Sequence, residues 1–359
     1  MSRTHSILRK LALAVAVAVA GRASADGKLV VGALHVGSIK DAGYNQASHD
    51  GLEQLKKNIP GLTLLEAENV PESADAERVM EQMINKGATI IIAQSFGFQD
   101  PALNVAAKYQ KVTFLHASGF KLAPNFGTFW GNNFEAMYLA GIAAGAATKS
   151  GKLGFITAFP IPNILASINA FELGARTQNP KVTTTVTYDN AWVDPVKEAA
   201  AVNALADAGV DVVTMITDSP ITIVKTAEAR GLKSIGFHSD ALAAFAPRGW
   251  LTGVAYTWGD LYTKLVKDVA AGTWKSAHVR GGIESGYLKL ASYGPSVTPE
   301  TKARIAQAQA DIVAGKLVIF KGPLKDNQGN VVIHEGKQGG VELLDTTRWL
   351  IEGVIGQAK

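Results

Sequence analysis

The chain has 359 residues, 47% of them hydrophobic and 18% charged, and it contains no cysteine. Its formal charge of +4 rests on Arg3, Arg9, Lys10 and Arg22; beyond them the lysines and arginines balance the 31 acidic residues. The composition therefore gives no reason to expect nucleic acid or an anionic membrane as partner. Without disulfides an exported chain must rest on its core, and this length is enough for two domains.

Arg3, Arg9 and Lys10 precede an apolar run, Leu11 to Ala20, and then the small-residue triplet Ala23-Ser24-Ala25. That pattern predicts a cleaved secretory signal over 1–25, with Asp26 as the mature N-terminus. The run is too short to span a bilayer. With no cysteine at the cleavage point for a lipid, the expectation is a periplasmic protein, not membrane-inserted after cleavage.

From Lys28, short branched apolar runs alternate with amphipathic stretches. "KLVVGALHV", "LTLLEAENV", "TIIIAQSFG" and "KVTFLHASG" read as strands, with helices over about 45–58, 73–86 and between the last two. The rhythm restarts at Gly151 with "GKLGFITAF", a helix over about 163–178, "KVTTTVTYDNAW", a helix over 195–208, "VDVVTMITDSP", a helix to Gly231 and "KSIGFHSD". Such runs separated by helices predict an α/β fold of two doubly wound parallel-sheet lobes. Residues 251–272 add a strand and a helix, 299–314 a helix, and the tail from Lys316 short strands. These extra elements predict a multi-crossing hinge. The N-terminal lobe is placed at 26–128 plus about 255–290, and the C-terminal lobe at 129–254 plus about 291–359.

In open parallel sheets ligands sit beyond the carboxyl ends of the strands. The candidates there are Asp41, Tyr44 and Asn45; Ser95, Phe96, Gly97 and Phe98; His116 and Ser118; Phe159; Trp192 within 189–194; Asp218; His238, Ser239 and Asp240; and Tyr256 and Trp258. The set is rich in aromatics, carboxylates and amides and holds no lysine or arginine. It suits a flat or sugar-like, neutral or weakly basic polar ligand. Each member also has a plainer reading. Trp130, Trp192 and Trp258 serve equally as packing, and Asp218-Ser219-Pro220 or Ser239-Asp240 as helix caps. His35, His116 and His238 end strands but lack local metal-ligand spacing. G-x-S-x-G, G-x-G-x-x-G and the P-loop are absent, so no catalytic residue, metal or cofactor is assigned.

Six segments, "KDAGYNQASHDGLEQL", "IIAQSFGFQDP", "FWGNNFEAMYLAGIAAGAATKSGKLGFI", "INAFELGARTQNP", "WVDPVKEAAAVNALADAGVDVV" and "GFHSDALAAFAP", together resemble the basic membrane protein family of substrate-binding proteins. That family serves ATP-binding-cassette importers, and the likeness to its purine-nucleoside receptors runs from about Lys28 to Gly272. The resemblance implies the type I periplasmic-binding-protein fold and a purine closed between two lobes. The family's D-x-G-[FY]-N loop matches Asp41, Gly43, Tyr44 and Asn45, its phenylalanine after the third strand matches Phe96 or Phe98, and the acid of its G-x-x-S-D turn matches Asp240. Nucleoside-binding members carry a lysine shortly after the next strand. This chain reads "LTGVAYTWGD", with none until Lys264, which favours a free base such as adenine.

The expectation is thus a monomeric solute-binding component that delivers a purine to the transmembrane subunits of an ABC permease. Its ligand-binding residues are Tyr44, Asn45, Ser95, Phe96, Gly97, Phe159, Trp192, Asp218, Asp240 and Trp258. Asn45, Asp218 or Asp240 would read the ring edge, and replacing Asn45 should weaken binding without unfolding. The alternatives are another small polar ligand (a sugar or a flavin), a secreted nucleoside hydrolase using Asp41 or Asp240, or a sensor partner for a membrane receptor.

Overall fold

The computed structural model describes residues 29–359 except Ser219; the expected signal peptide lies outside them. The branched apolar runs form strands, most of them buried on both faces, while the second, at a sheet edge, is only half-buried. They are β1 (Val30–His35), β2 (Thr63–Ala67), β3 (Ile90–Gln94), β4 (Thr113–Ala117) and β5 (Phe126–Gly131), separated by α1 (Tyr44–Asn58), α2 (Ala74–Asn85) and α3 (Gln99–Lys108). After α4 (Asn133–Ala147) the alternation resumes with β6 (Lys152–Thr157), α5 (Pro162–Arg176), β7 (Thr183–Tyr188), α6 (Pro195–Asp207), β8 (Val212–Ile216), α7 (Ile221–Ala229), β9 (Lys233–His238) and β10 (Trp250–Tyr256). Then come α8 (Trp258–Ala270), β11 (His278–Gly281), β12 (Leu288–Leu290) and α9 (Pro299–Val313).

Among the described residues two large sheets form. The first has the order β11-β5-β4-β3-β1-β2 and is parallel throughout. The second runs β12-β10-β9-β8-β6-β7 and ends on a two-residue strand, Val354–Ile355, from the tail. Only β12 is antiparallel in it, against β10. In both sheets the strand order reverses beside the first strand of the lobe, between β1 and β3 and between β6 and β8. Those switch points leave crevices at the carboxyl ends of the strands.

On this pairing we divide the chain into two lobes, which it crosses between three times: from β5 to α4, from β10 to α8, and from β11 to β12. The helix α8 returns to lobe 1 and packs on α1, where Ser48 Oγ meets the Tyr262 hydroxyl at 3.0 Å. In lobe 2, α4 lies directly on α5. A Cβ at Gly141 would fall 2.1 Å from the Phe171 carbonyl oxygen, so only glycine permits that approach. No helix among the described residues is long and apolar enough to cross a membrane.

Candidate functional site

The loop between β1 and α1 is built around one carboxylate. Asp41 accepts from the backbone N–H groups of Gly43 (2.7 Å), Asn45 (3.1 Å) and Gln46 (3.0 Å), and from the Asn45 side-chain amide at 2.7 Å. These are donors that the first turn of a helix otherwise leaves unpaired. Asn45 Oδ1 accepts from Gly37 N–H at 3.2 Å, and the residue is fully buried. Burial pushes the Asp41 carboxyl up and the four hydrogen bonds pull it back. The loop is thus rigid, and it presents Tyr44, the first residue of α1, to the other lobe.

There the backbone N–H of Tyr44 donates to the carbonyl oxygen of Asp218, beyond β8, at 3.1 Å. Asp218 N–H in turn donates to the Trp192 carbonyl oxygen at 2.9 Å. The two switch points therefore touch. The small cavity between them, about 30 Å³, is walled on the lobe 1 side by Tyr44, Ser95, Phe96, Ser118 and Trp130. The lobe 2 side supplies Ile161, Asn163, Ile164, Trp192, Asp218 and His238, among others. Phe96, Ser118, Trp130, Ile161 and Asn163 also line an outer chamber of about 290 Å³. The lobes are closed on this cavity as they stand; the outer chamber alone approaches the size of an ordinary small-molecule site.

The electrostatics are unusual for a polar cleft. Asp218 is 6% exposed. Burial, and then the charges of Asp41, Glu72 and Glu198, push it well above the usual carboxylate range. Behind Trp192, burial pushes Asp189 up to about 6 and Glu198 to about 7. Burial also holds His238 down to about 3 and His116 to about 4, so both rings are neutral. Among the described residues neither lysine nor arginine lines the inner cavity.

Five of the ten expected ligand-binding residues meet at this cavity: Tyr44, Ser95, Phe96, Trp192 and Asp218. Phe159 stands behind them with its ring edge-on to Trp192, centroids 5.4 Å apart. Gly97 faces away and gives its N–H to Glu72 at 3.0 Å. Asn45 is committed to the Asp41 loop. Asp240 lies at a separate hollow on another side of the hinge and accepts from Ser292 N–H and Oγ at 3.0 and 2.6 Å. Trp258 is buried in the hinge, stacked on Tyr256 at 4.2 Å and on Tyr262 at 6.1 Å. Phe98 is core. Ile161, Asn163 and Ile164 were missed because they enter at the start of α5, just past the strand end that supplied Phe159; Pro162 at the first helical position was the available signal. The inventory without arginine also needs correction at the outer chamber, where Arg280 and Arg348 appear. They come from β11 and the tail, elements outside the strand-to-helix loops. No group of three or more histidine, aspartate or glutamate residues placed to hold a metal occurs among the described residues.

Two α/β lobes crossed three times by the chain, with their switch points facing across a cleft, define the type I periplasmic-binding-protein fold. Residues 28–328 match the family model described as ABC transporter substrate-binding protein, PnrA-like, and the chain belongs to that family. It is 36% identical to a purine-binding protein of Brucella abortus over 93% of this chain and 95% of that one. It is 32% identical, over 86% of this chain and 78% of the other, to a Haloferax volcanii protein provisionally described as an ABC transporter glucose-binding protein. A solved ABC transporter solute-binding protein from Conexibacter woesei superposes with a TM-score of 0.67 at 22% identity, covering 80% of this chain and 97% of that one, and so shares the fold.

Proposed function

We propose that this substrate-binding protein captures a purine, as the free base such as adenine rather than a nucleoside, and delivers it to the membrane subunits of an ABC importer. It works as a monomer in the periplasm after its leader is removed, and it binds without catalysing a reaction. The observation that carries this reading is the pairing of aromatic walls from both lobes with one buried carboxyl, Asp218, in a cavity that no lysine or arginine among the described residues lines. Phe96 and Tyr44 stand on one side and Trp192 on the other, and rings offer their faces to a flat heterocycle. A carboxyl then fixes its orientation through ring-edge hydrogen bonds. The relative described as purine-binding supports the ligand class.

Closure follows from the same contacts. A ligand touching both lobes binds the closed form better and shifts the population toward it. That form is the shape a permease recognises. The relative described as glucose-binding favours one second reading, a sugar stacked on the same aromatics. Native mass spectrometry of the co-purified ligand distinguishes them, followed by calorimetry with adenine, hypoxanthine, guanine and their nucleosides. Absence of heat and of thermal shift with all six would remove the purine reading.

A further inference from the structure

We propose that Asp218 reads the ligand as a neutral carboxylic acid, presenting one hydroxyl donor beside one carbonyl acceptor, so that it selects a heterocycle edge pairing an acceptor with a donor, as in the N7/N6 or N1/N6 edge of adenine. The inference rests on the purine reading above and names which edge the site takes.

The argument starts from what surrounds the carboxyl. Asp218 lines the cavity at 6% exposure, and its backbone is pinned from both sides, by Trp192 through its N–H and by Tyr44 through its carbonyl. The backbone that carries the carboxyl is therefore fixed at the cavity wall. Around it stand Asp41 from the β1–α1 loop, Glu72 ahead of α2 and Glu198 on α6. Tyr44 on α1 and Tyr256 on β10 feel its charge, and both phenols are neutral, raised well above their ordinary range by burial. His238 at the end of β9 lines the same cavity and is neutral as well. Among the described residues, no lysine or arginine lines the cavity that the group faces. A buried carboxylate with three acids near it and no cation is costly, and the group takes a proton instead.

Protonation changes the recognition chemistry. An ionised carboxylate only accepts and matches two adjacent donors, such as the N1–H and N2–H of guanine. The neutral acid offers a donor and an acceptor side by side. An asparagine carboxamide has that same pattern and pairs with adenine N6 and N7. Asp41 and Glu72 come from lobe 1, so closure itself brings their charges to Asp218. Capture is then coupled to proton uptake, and opening returns the proton.

Adenine binding is measured by calorimetry between pH 5.5 and 8.5 for the wild type, Asp218→Asn and Asp218→Leu. The expected wild-type affinity falls as pH rises, by up to about tenfold per unit, with a heat that depends on the ionisation enthalpy of the buffer. Asp218→Asn keeps adenine affinity within about threefold of the wild type at pH 6 and loses the pH dependence, whereas Asp218→Leu weakens binding by about tenfold or more. A tenfold loss in Asp218→Asn, or a wild-type affinity that is flat or rises with pH, would overturn the inference while leaving purine binding intact. Buffer-dependent heat is read on the unmutated protein, so it decides the question even if a variant misfolds. A wild type that binds no purine at any pH would overturn both readings.

Discussion

The backbone N–H of Tyr44 donates to the Asp218 carbonyl oxygen across the cleft at 3.1 Å, tying the first helix of one lobe to the loop beyond β8 of the other. The residue before it makes that approach possible. A Cβ on Gly43 would lie 2.3 Å from the Asp218 carbonyl oxygen and 2.7 Å from Pro220 Cδ. Gly43 has φ near −130°, outside the left-handed region, so the close approach is the feature that calls for glycine here. Gly43→Ala should leave lobe stability unchanged and hold the lobes short of full closure. The expected result is a ligand affinity at least about tenfold weaker, since the loss of one well-made interlobe hydrogen bond and its packing is worth about 1.4 kcal/mol or more. Calorimetry reads the affinity, and small-angle scattering should show that saturating ligand no longer compacts the variant. Wild-type affinity in Gly43→Ala would mean that the contact plays no part in capture.

The aromatics divide into two groups that respond differently to truncation. Two positions separate them: Trp192 lines the cavity with Phe159 edge-on behind it, whereas Trp258 is 1% exposed within the hinge stack. Trp192→Ala should cost about 1–3 kcal/mol of binding, the usual worth of one base-stacking ring, with little change in Tm. Trp258→Ala should instead cost about 3–5 kcal/mol of folding stability as a large buried side chain is removed. Paired thermal melts and titrations check both. A Trp192→Ala protein that binds normally would move the stacking role elsewhere, to Phe96 or Trp130.

How far the sequence reached can be judged on particular residues. The strand runs were legible because a parallel sheet buries both faces, and the rule that ligands sit at strand ends picked out Tyr44, Ser95, Phe96, Trp192 and Asp218. Less legible was β5, "FGTFWG", whose two glycines break the apolar run. The helix α4 is buried almost all round and so shows no periodic face. Asn45 is the instructive case among the site residues. An amide at a strand end has the chemistry to read a ligand, but the same chemistry bonds Asp41 and Gly37, and only coordinates separate the two uses. Asp240 lies apart from the inner cavity for a related reason: its carboxylate accepts from Ser292, brought near by a segment some fifty positions away.

Asn45 therefore carries a prediction opposite to the one its position in the sequence suggested. Its side chain donates to Asp41 Oδ2 at 2.7 Å and accepts from Gly37 N–H at 3.2 Å, both buried or partly so. Asn45→Ala removes both and leaves a buried carboxylate short of a donor. The expected effect is a stability loss of about 1–3 kcal/mol. Affinity should fall only as far as the loop before α1 loosens. Chemical denaturation reads the first quantity and calorimetry at a temperature well below Tm the second. A large affinity loss at unchanged stability would return Asn45 to the ligand.

Away from the cleft, Glu172 on α5 is fully buried, and one carboxyl oxygen accepts from Thr184 Oγ at 2.7 Å while the other has no hydrogen-bond partner among the described residues. Desolvation pushes it up to about 7, with the Thr184 bond and the Arg176 charge opposing the shift. The folded state thus keeps a proton that the unfolded chain releases near the ordinary glutamate value. Its contribution to stability is full below that ordinary value, declines as pH rises toward 7 and is gone above it. One pKa unit is worth about 1.4 kcal/mol, so the decline is on the order of 3 kcal/mol. Glu172→Gln keeps the size and the acceptor for Thr184 while removing the titration. Urea denaturation at pH 5, 6, 7 and 8 should show the wild-type free energy falling across this range relative to the variant, and the variant more stable at pH 8. Parallel profiles for the two proteins would show that Glu172 is ionised in the fold and that its unpartnered oxygen is satisfied by solvent.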